Sequence, residues 1–250
     1  MSASTGNAIP ANALLAAIDR TAPGMLPEQC VEVELRRGQV LAEPGQPIGS
    51  VYFPHDAVIS LTVSMAAGAM AEAATVGREG MTGYSAAFGE RAAFARSVVQ
   101  VAGSADRLPL DAFTAAFDAD HRVRQLSLSY TQALLGQILQ SVACGTLHTA
   151  EQRLARWLLM LQDRAGGDRL NLTQEFLAAM LGVRRATVSA AMQALRHRSI
   201  VEQERGVIRI QRRHALQDVA CECYGIVRAY YERVLPKIYP ATSATVQTDA

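Results

Sequence analysis

The sequence predicts an α+β protein in which an N-terminal antiparallel β-roll, a long helix and a C-terminal domain of short helices follow one another. Three observations predict it. Short runs of β-branched residues between glycine and proline turns fill most of the N-terminal half, a pattern typical of a small roll or barrel. An uncharged helical segment follows from Gln125 to Ala150, and residues from Thr173 to Val201 then have the pattern of two short helices joined by a glycine.

These patterns divide the chain into four segments. We expect a short N-terminal helix and a jelly-roll-like, double-stranded β-helical roll over residues 1–117, and the long helix over residues 118–148. The C-terminal helical domain should occupy residues 149–240 and a disordered tail residues 241–250. With 250 residues, half of them hydrophobic, the chain is long enough for two ordinary domains.

In the N-terminal part, a short amphipathic helix at about residues 11–20 precedes the predicted strands. These strands are short and rich in β-branched residues, and lie at Cys30–Leu35, Gln39–Leu41, Ser50–Phe53, Val58–Val63, Met70–Val76 and Ser97–Ala102. The segment from Gly77 to Gly83 interrupts them with three glycines. Such a loop can aim backbone N–H groups at an anion, but it is equally a plain connection.

The uncharged segment from Gln125 to Ala150 predicts a helix with two apolar stripes. Its many Gln, Ser and Thr residues exclude a membrane span. A helix with two stripes is covered on two sides, so we expect one side to pack on its own domain and the other on a second copy of the chain. One stripe contains Val123, Leu126, Tyr130 and Ala133, and the other Leu128, Leu135, Ile138 and Val142. We assign the dimer interface to Leu126, Tyr130, Ala133 and Gln137; the alternative is a helix buried in a single bundle.

The segment from Thr173 to Val201 predicts a helix, a tight turn at Gly182 and a second helix. The Thr173 hydroxyl can cap the first helix, and Gly182 suits a turn that needs positive φ. The second helix begins with outward guanidinium and hydroxyl groups, on Arg184, Arg185, Thr187 and Ser189. Such groups suit phosphates and base edges in a DNA major groove, although a helical hairpin with a solvated basic end would show the same pattern.

Two β-branched runs, Ile200–Glu204 and Val207–Ile210, follow this helix pair with Arg205 and Gly206 between them. They predict a hairpin, which makes the motif a winged helix-turn-helix. We expect Arg205 at the hairpin tip to reach a phosphate. The acidic side chains within the first run argue against DNA contact along the whole wing.

Charge is distributed unevenly although the formal net charge is only +1. Residues from Thr149 onwards contain 15 Lys and Arg residues against 10 Asp and Glu residues, whereas the preceding part contains 9 against 13. A basic C-terminal half favours binding to a polyanion. The sequence shows no signal peptide, so we expect a cytoplasmic protein with reduced cysteines.

Metal and enzyme signatures are absent from the sequence. The spacing of Cys221 and Cys223 is too tight for the usual zinc pattern, and the pair is expected to lie on a helix in a structural role. There is no N-terminal cysteine cluster for an iron–sulfur centre, and none of the histidines predicts haem ligation. The sequence contains no phosphate-binding P-loop and no nucleophile elbow, so an enzyme is not expected.

The order of roll, glycine loop, Arg-Ser pair, long helix and winged helix-turn-helix resembles the Crp/Fnr family of bacterial transcription regulators over nearly the whole chain. The resemblance is carried by residues 37–45 and 51–54 in the roll, residues 151–158 in the first helix of the C-terminal domain and, most specifically, Gly182 to Ser189. It implies a homodimer that binds a two-fold symmetric DNA site and is usually controlled by an effector in the roll. RNA polymerase is a further candidate partner.

The resemblance also assigns roles to individual residues. Arg185 corresponds to the family's guanine-reading arginine, Thr173, Arg184 and Thr187 to phosphate-contacting positions, and Ser189 to a base-contacting position in some branches. Ala186 stands where a glutamate commonly reads cytosine, so the preferred DNA site should differ from the familiar ones, with a loss of roughly 1–3 kcal/mol of discrimination at that base pair.

The same resemblance places an effector site at Gly83, Tyr84, Arg96 and Ser97. In members that bind cyclic AMP a glutamate stands where this chain has Tyr84, and a tyrosine is a poor substitute for a carboxylate that accepts two ribose hydroxyls. We therefore expect another nucleotide, a different small molecule or an empty roll. The alternative function is a ligand-sensing module that acts through protein contacts and has a vestigial DNA-binding domain.

Overall fold

The computed structural model describes residues 11–66, 68, 70–204, 206–235 and 238. Helix α1 (Ala13–Thr21) opens the described chain and packs against the roll. Arg205 at the predicted wing tip and the predicted tail over residues 241–250 lie outside the described residues.

The roll is built from two facing antiparallel sheets. One sheet has the strand order β1 (Val31–Leu35), β7 (Gly103–Pro109), β3 (Ser50–Pro54), and the other has the order β2 (Val40–Ala42), β6 (Arg96–Val101), β4 (Val58–Ser64), β5 (Met70–Val76). Their inward side chains, among them Phe53, Ile59 and Val99, share one core. The predicted α+β class with antiparallel N-terminal sheets is confirmed.

Helix α2 (Leu110–Ala119) and helix α3 (His121–Leu147) follow the roll directly. Asp120 separates them and caps α3, since its carboxylate accepts from the backbone N–H groups of Arg122 and Val123. The predicted long helix is thus confirmed, although residues 118–119 belong to α2. None of the helices in the described part of the chain is long and apolar enough to cross a membrane.

The dimer interface predicted on α3 is contradicted at three of its four residues. Tyr130, Ala133 and Gln137 are buried in the core of their own protomer, where the Tyr130 hydroxyl donates to the Met81 carbonyl at 2.9 Å. Leu126 is half-buried against the same core. Periodicity revealed both stripes of the helix, but it could not tell which of them meets the roll.

The opposite face of α3 carries an exposed row of large apolar side chains. Leu128, Leu135 and Val142 repeat every seven residues and are 49%, 53% and 67% exposed; Leu139 lies beside them. This row is called the α3 stripe below.

The C-terminal domain starts with helix α4 (Ala150–Ala165), whose capping box joins Thr149 and Gln152. It continues through β8 (Arg169–Asn171), α5 (Gln174–Leu181), α6 (Arg185–His197), β9 (Val201–Glu204) and β10 (Val207–Ile210). The wing has the strand order β8-β10-β9, so the predicted hairpin is present and gains a strand that the sequence did not suggest. Only one of its three side chains, Leu170, is buried, between the exposed Arg169 and Asn171, which explains why β8 was missed.

Two helices follow the wing, α7 (Arg213–Val219) and α8 (Cys223–Val234). Helix α8 packs along α3 rather than on the wing, and Val227 and Tyr231 join the roll core. Gly136 of α3 allows this approach, because a Cβ there would lie 2.7 Å from the Tyr230 ring. Helix α8 therefore extends the core that α3 shares with the roll.

A polar layer joins the roll to α4 of the C-terminal domain. The Arg164 guanidinium on α4 donates to Glu79 of the glycine loop at 2.8 Å and to Gln137 of α3 at 3.1 Å. Both charged side chains are almost fully buried. The glycine loop makes room for this layer, since a Cβ on Gly77 would lie 2.6 Å from the Arg164 side chain. The loop therefore packs against helices, in accordance with the plain-connection alternative.

A second buried contact lies in the same layer. The Trp157 indole N–H on α4 donates to Glu72 of β5 at 2.7 Å, and the Ser60 hydroxyl donates to the other carboxylate oxygen. Burial raises the pKa of Glu72, although these two hydrogen bonds act in the opposite direction. The position of the C-terminal domain is thus set by specific polar contacts as well as by apolar packing.

Candidate nucleic-acid interface

Helices α5 and α6 form a compact helix-turn-helix. The Thr173 hydroxyl accepts from the backbone N–H of Phe176 at 3.2 Å and caps α5. At the other end of α5, Gly182 has φ of +62°, and its N–H and that of Val183 return to the last turn of the helix. Glycine adopts this left-handed conformation without a Cβ penalty, which sets the angle at which α6 leaves the turn.

The first turn of α6 faces solvent. Arg184 is its N-cap residue, and Arg184, Arg185, Ala186 and Thr187 are all exposed, whereas Val188, Ala191 and Met192 bury the opposite face. This end of α6 contains no acidic residue in its first turn, and unpaired backbone N–H groups make a helix start favourable for anions. The geometry offers two guanidinium groups, a hydroxyl and a positive helix terminus to a polyanion.

Arg185 is 66% exposed and its Nη1 lies 2.8 Å from Oε1 of Glu175 on α5. The pair is solvent-exposed on both sides, so it contributes about 0–1 kcal/mol and can exchange partners readily. Arg185 is therefore held at the surface and is free to change from this carboxylate to a base edge or a phosphate.

Ser189 is half-buried, and its hydroxyl donates to Oε1 of Gln174 at 2.6 Å. The Gln174 amide group in turn donates to Oε1 of Gln203 on β9 at 3.3 Å. This chain of polar side chains connects α5, α6 and the wing. Sequence reasoning missed both glutamines; the position of Gln174 directly after the helix cap was the available signal.

A groove of about 780 Å³ runs between α6 and the wing. Its lining includes Gln193, Arg196 and His197 on α6 and Gln203 on β9. Arg196 and His197 are exposed and were not predicted as site residues. They extend the basic surface from the start of α6 towards its C-terminal end.

The wing itself carries charges of both signs. Arg169 and Arg209 are exposed on neighbouring strands, and Glu202 and Glu204 are exposed on β9. The mixed charge agrees with the expectation that the strands do not contact DNA along their whole length. The predicted contact of Arg205 lies outside the described residues.

The residues predicted for an effector site have separate structural partners. Gly83 has φ of +86° and lies so close to β3 that a Cβ would be 2.3 Å from the Ser50 carbonyl oxygen. The Arg96 Nε lies 3.1 Å from Oε1 of Glu43 at the surface, whereas Ser97 points inwards to the Thr82 hydroxyl at 3.4 Å.

Tyr84 is a core residue rather than a pocket residue. It is 5% exposed, and its ring packs edge-on against Tyr130 with centroids 5.3 Å apart. Burial raises the pKa of the Tyr84 hydroxyl, although a hydrogen bond with Thr131 of α3 acts in the opposite direction. The placement of Tyr84 in an effector site is therefore corrected: this side chain connects the roll to α3.

Comparison with known proteins agrees with this description. Residues 152–219 match the Crp-like helix-turn-helix domain family. The fold is similar to that of FixK2 from Bradyrhizobium japonicum, with a TM-score of 0.66 and 17% identity over 77% of this chain and 98% of that one. It is also similar to a CRP/FNR-family transcriptional regulator from Thermus thermophilus, with a TM-score of 0.63 and 20% identity over 76% of this chain and 98% of that one. No curated protein sequence matches the chain.

Proposed function

We propose that this chain, which carries a Crp-like helix-turn-helix domain in a Crp/Fnr-type fold, is a homodimeric regulator of transcription that binds a two-fold symmetric DNA site. The observation that carries the proposal is the exposed start of α6. Arg184, Arg185 and Thr187 lie together on it, and Thr173 caps the preceding helix nearby in the motif. In helix-turn-helix proteins this part of the second helix enters the major groove.

Within this proposal, Arg185 reads a base and the surrounding groups bind phosphates. An arginine fork donates two hydrogen bonds to guanine, and such a bidentate contact contributes about 1–3 kcal/mol of discrimination. Arg184, Thr187 and Thr173 contact the backbone, and the hydroxyl of Ser189 reaches a base edge after releasing Gln174. Arg196 is added to the predicted set because it lies on the same exposed groove.

The second copy of the chain is proposed to pack on the α3 stripe. Its leucines and valine are exposed in one protomer and repeat with the seven-residue spacing that two paired helices share. A symmetric pair of α3 helices would present two copies of α6 to one face of a duplex, about 34–36 Å apart. This interface replaces the one predicted from the sequence.

The contacts in the roll favour regulation without cyclic AMP. Tyr84 is buried and packs against Tyr130, so it does not supply the acceptor that the two hydroxyls of a ribose need. We therefore propose that specific DNA binding does not depend on this nucleotide. Contact with RNA polymerase remains a prediction from the family resemblance.

The test of DNA binding begins with duplexes selected by the purified protein from a random pool. Arg185→Ala should weaken binding to the selected duplex at least tenfold while binding to random competitor changes much less. Arg91→Ala is the matched control, because Arg91 is also exposed and pairs with a carboxylate at 2.8 Å, but lies in the roll. Selection of no preferred sequence, or equal effects of the two substitutions, would refute the proposed function.

The dimer is tested by the mass of the protein in solution, measured by light scattering after size exclusion. Leu135→Asp places a charge within the α3 stripe and should convert the dimer to a monomer. Phe94→Asp is the control, because Phe94 is 87% exposed in the roll and away from α3. A wild-type monomer, or a dimer that tolerates Leu135→Asp, would contradict this interface.

A further inference from the structure

Two segments far apart in the sequence bring three thiols and an imidazole together. Cys144 and His148 lie at the end of α3, and Cys221 and Cys223 lie at the connection between α7 and α8. One ligand atom from each of the four residues lies within 4.8 Å of all the others. The Cys144 and Cys221 sulfurs are 3.5 Å apart, and the Cys223 sulfur is 3.5 Å from Nδ1 of His148.

We propose that these four residues bind one zinc ion. A tetrahedral zinc site with Zn–S bonds of about 2.3 Å and a Zn–N bond of about 2.0–2.1 Å places sulfur atoms about 3.8 Å from each other and about 3.5 Å from the nitrogen. The two distances given above match these edges closely, so small movements of side chains would complete the tetrahedron. Thiolate and imidazole ligands select zinc over magnesium or calcium, which prefer oxygen.

The groups around the cluster orient the ligands as a metal site requires. Nε2 of His148 donates to Glu222 at 3.2 Å, which keeps the proton on that nitrogen and leaves Nδ1 free to face the thiols. A carboxylate behind a ligating histidine is a common feature of zinc sites. The Gln140 side chain also donates to the Cys223 sulfur at 3.0 Å, and such a hydrogen bond would partly neutralise a thiolate.

The burial of the cluster indicates a structural ion rather than a catalytic one. All three cysteines are buried and form a cluster of their own, separate from the two large cores. His148 closes the remaining side with a side chain that is only 15% exposed. A site with four protein ligands and no open coordination position cannot hold a substrate on the metal.

A pair of cysteines alone would suggest a disulfide, but the arrangement favours a metal. The Cys144 and Cys221 sulfurs are 3.5 Å apart, well beyond the roughly 2.05 Å of a disulfide bond. A disulfide would use only these two residues and would give no role to Cys223 or His148. Convergence of all four donors on one point is what a metal explains.

The position of the site suggests what the ion does. His148 ends α3, and the next residue, Thr149, is the N-cap of α4, the first helix of the C-terminal domain. A zinc ion would crosslink this junction to the start of α8, which packs back along α3. It would therefore fix the direction in which the chain enters the DNA-binding domain, at the point where a hinge between the two halves would have to bend.

The test uses the full-length protein purified under reducing conditions without an affinity metal. Elemental analysis should find about one zinc per chain, and Cys221→Ser should lose it. Cys30→Ser is the matched control, because Cys30 lies in the roll, outside the cluster. Zinc content is independent of the proposed function, so Arg185→Ala should retain the metal even where it abolishes DNA binding.

Replacement of zinc by cobalt(II) in the wild-type chain gives a readout that requires no variant. Tetrahedral cobalt with three thiolates and one imidazole should show strong visible absorption and a thiolate-to-metal charge-transfer band, and His148→Ala should change both. Four freely titratable thiols in a chain that takes up neither zinc nor cobalt would overturn the proposal. So would zinc that Cys221→Ser retains, or a Cys144–Cys221 disulfide in the reduced preparation.

Discussion

The buried pair of Arg164 and Glu79 makes a strong prediction about how the two halves of the protein are joined. Arg164 is 2% exposed and Glu79 is 1% exposed, and Nε of the guanidinium lies 2.8 Å from the carboxylate. Replacing Arg164 by Met keeps most of the side-chain volume but leaves the Glu79 carboxylate buried without its cation. The substitution therefore removes charge pairing with little loss of packing.

Breaking a buried pair in this way costs about 3–5 kcal/mol, because the remaining charge cannot be solvated. For a chain of this length each kcal/mol lowers the unfolding temperature by roughly 2–4 °C, so Arg164→Met should lower it by roughly 6–20 °C. The double variant Glu79→Gln with Arg164→Met removes the unpaired charge. It should recover a large part of the loss.

Trp157 provides the assay, since it is the only tryptophan and lies at the same boundary, hydrogen-bonded to Glu72. Its fluorescence during urea unfolding reports the stability of the joint between roll and C-terminal domain. Arg91→Met is the control: its partner Asp111 is also 2.8 Å away, but both side chains are more than half exposed, so the expected loss is about 0–1 kcal/mol. The reasoning is refuted if both substitutions cost the same, or if the double variant is no more stable than Arg164→Met.

Two further predictions concern the turn and the buried carboxylate. Gly182→Val places a β-branched residue at φ of +62° and should destabilise the C-terminal domain by about 1–2 kcal/mol. Gly182→Asn should destabilise it less, because asparagine tolerates the left-handed region better. Equal urea midpoints of the two variants would contradict this prediction. Burial raises the pKa of Glu72 in the folded protein, so the folded state favours the protonated carboxyl. The contribution of this group to the free energy of unfolding is fully present below the unfolded pKa of about 4.3, and it is lost as the pH rises through the pKa of the folded state. The unfolding temperature of wild type should therefore fall relative to that of Glu72→Gln as the pH rises from about 4.5 to about 8, and a constant difference would argue against a raised pKa.

Local chemistry explains which parts of the fold could be predicted. Thr173 and Gly182 mark the two ends of α5 by side-chain capping and by backbone conformation, and both effects act within a few residues. The exposed position of Arg184 and Arg185 follows from the apolar spacing on the other side of α6. The helix-turn-helix and its outward guanidinium groups were therefore predictable from a short stretch of sequence.

Features that depend on contacts between distant segments were not predictable in this way. The two stripes of α3 look alike in sequence, and only the packed roll shows that Tyr130 faces inwards and Leu135 outwards. The thiol cluster was even less predictable from the sequence. Cys144 and Cys221 are 77 positions apart, and their sulfurs come together only because α8 folds back along α3. Considered alone, the tight spacing of Cys221 and Cys223 argues against a metal site. The other two proposed ligands, Cys144 and His148, come from the end of α3 and cannot be recognised from the local sequence.

The contacts between the two halves also limit how a signal could act. If α4 swung away from the roll, Arg164 would leave Glu79, and Trp157 would leave Glu72. The separated Arg164 and Glu79 charges would then need water or new partners, at a cost of the order of several kcal/mol. A ligand shifts such an equilibrium only by its difference in affinity for the two states. An effector that moves the DNA-binding domain must therefore supply a difference in affinity of this size, and substitutions in the polar layer should alter DNA affinity without touching α6.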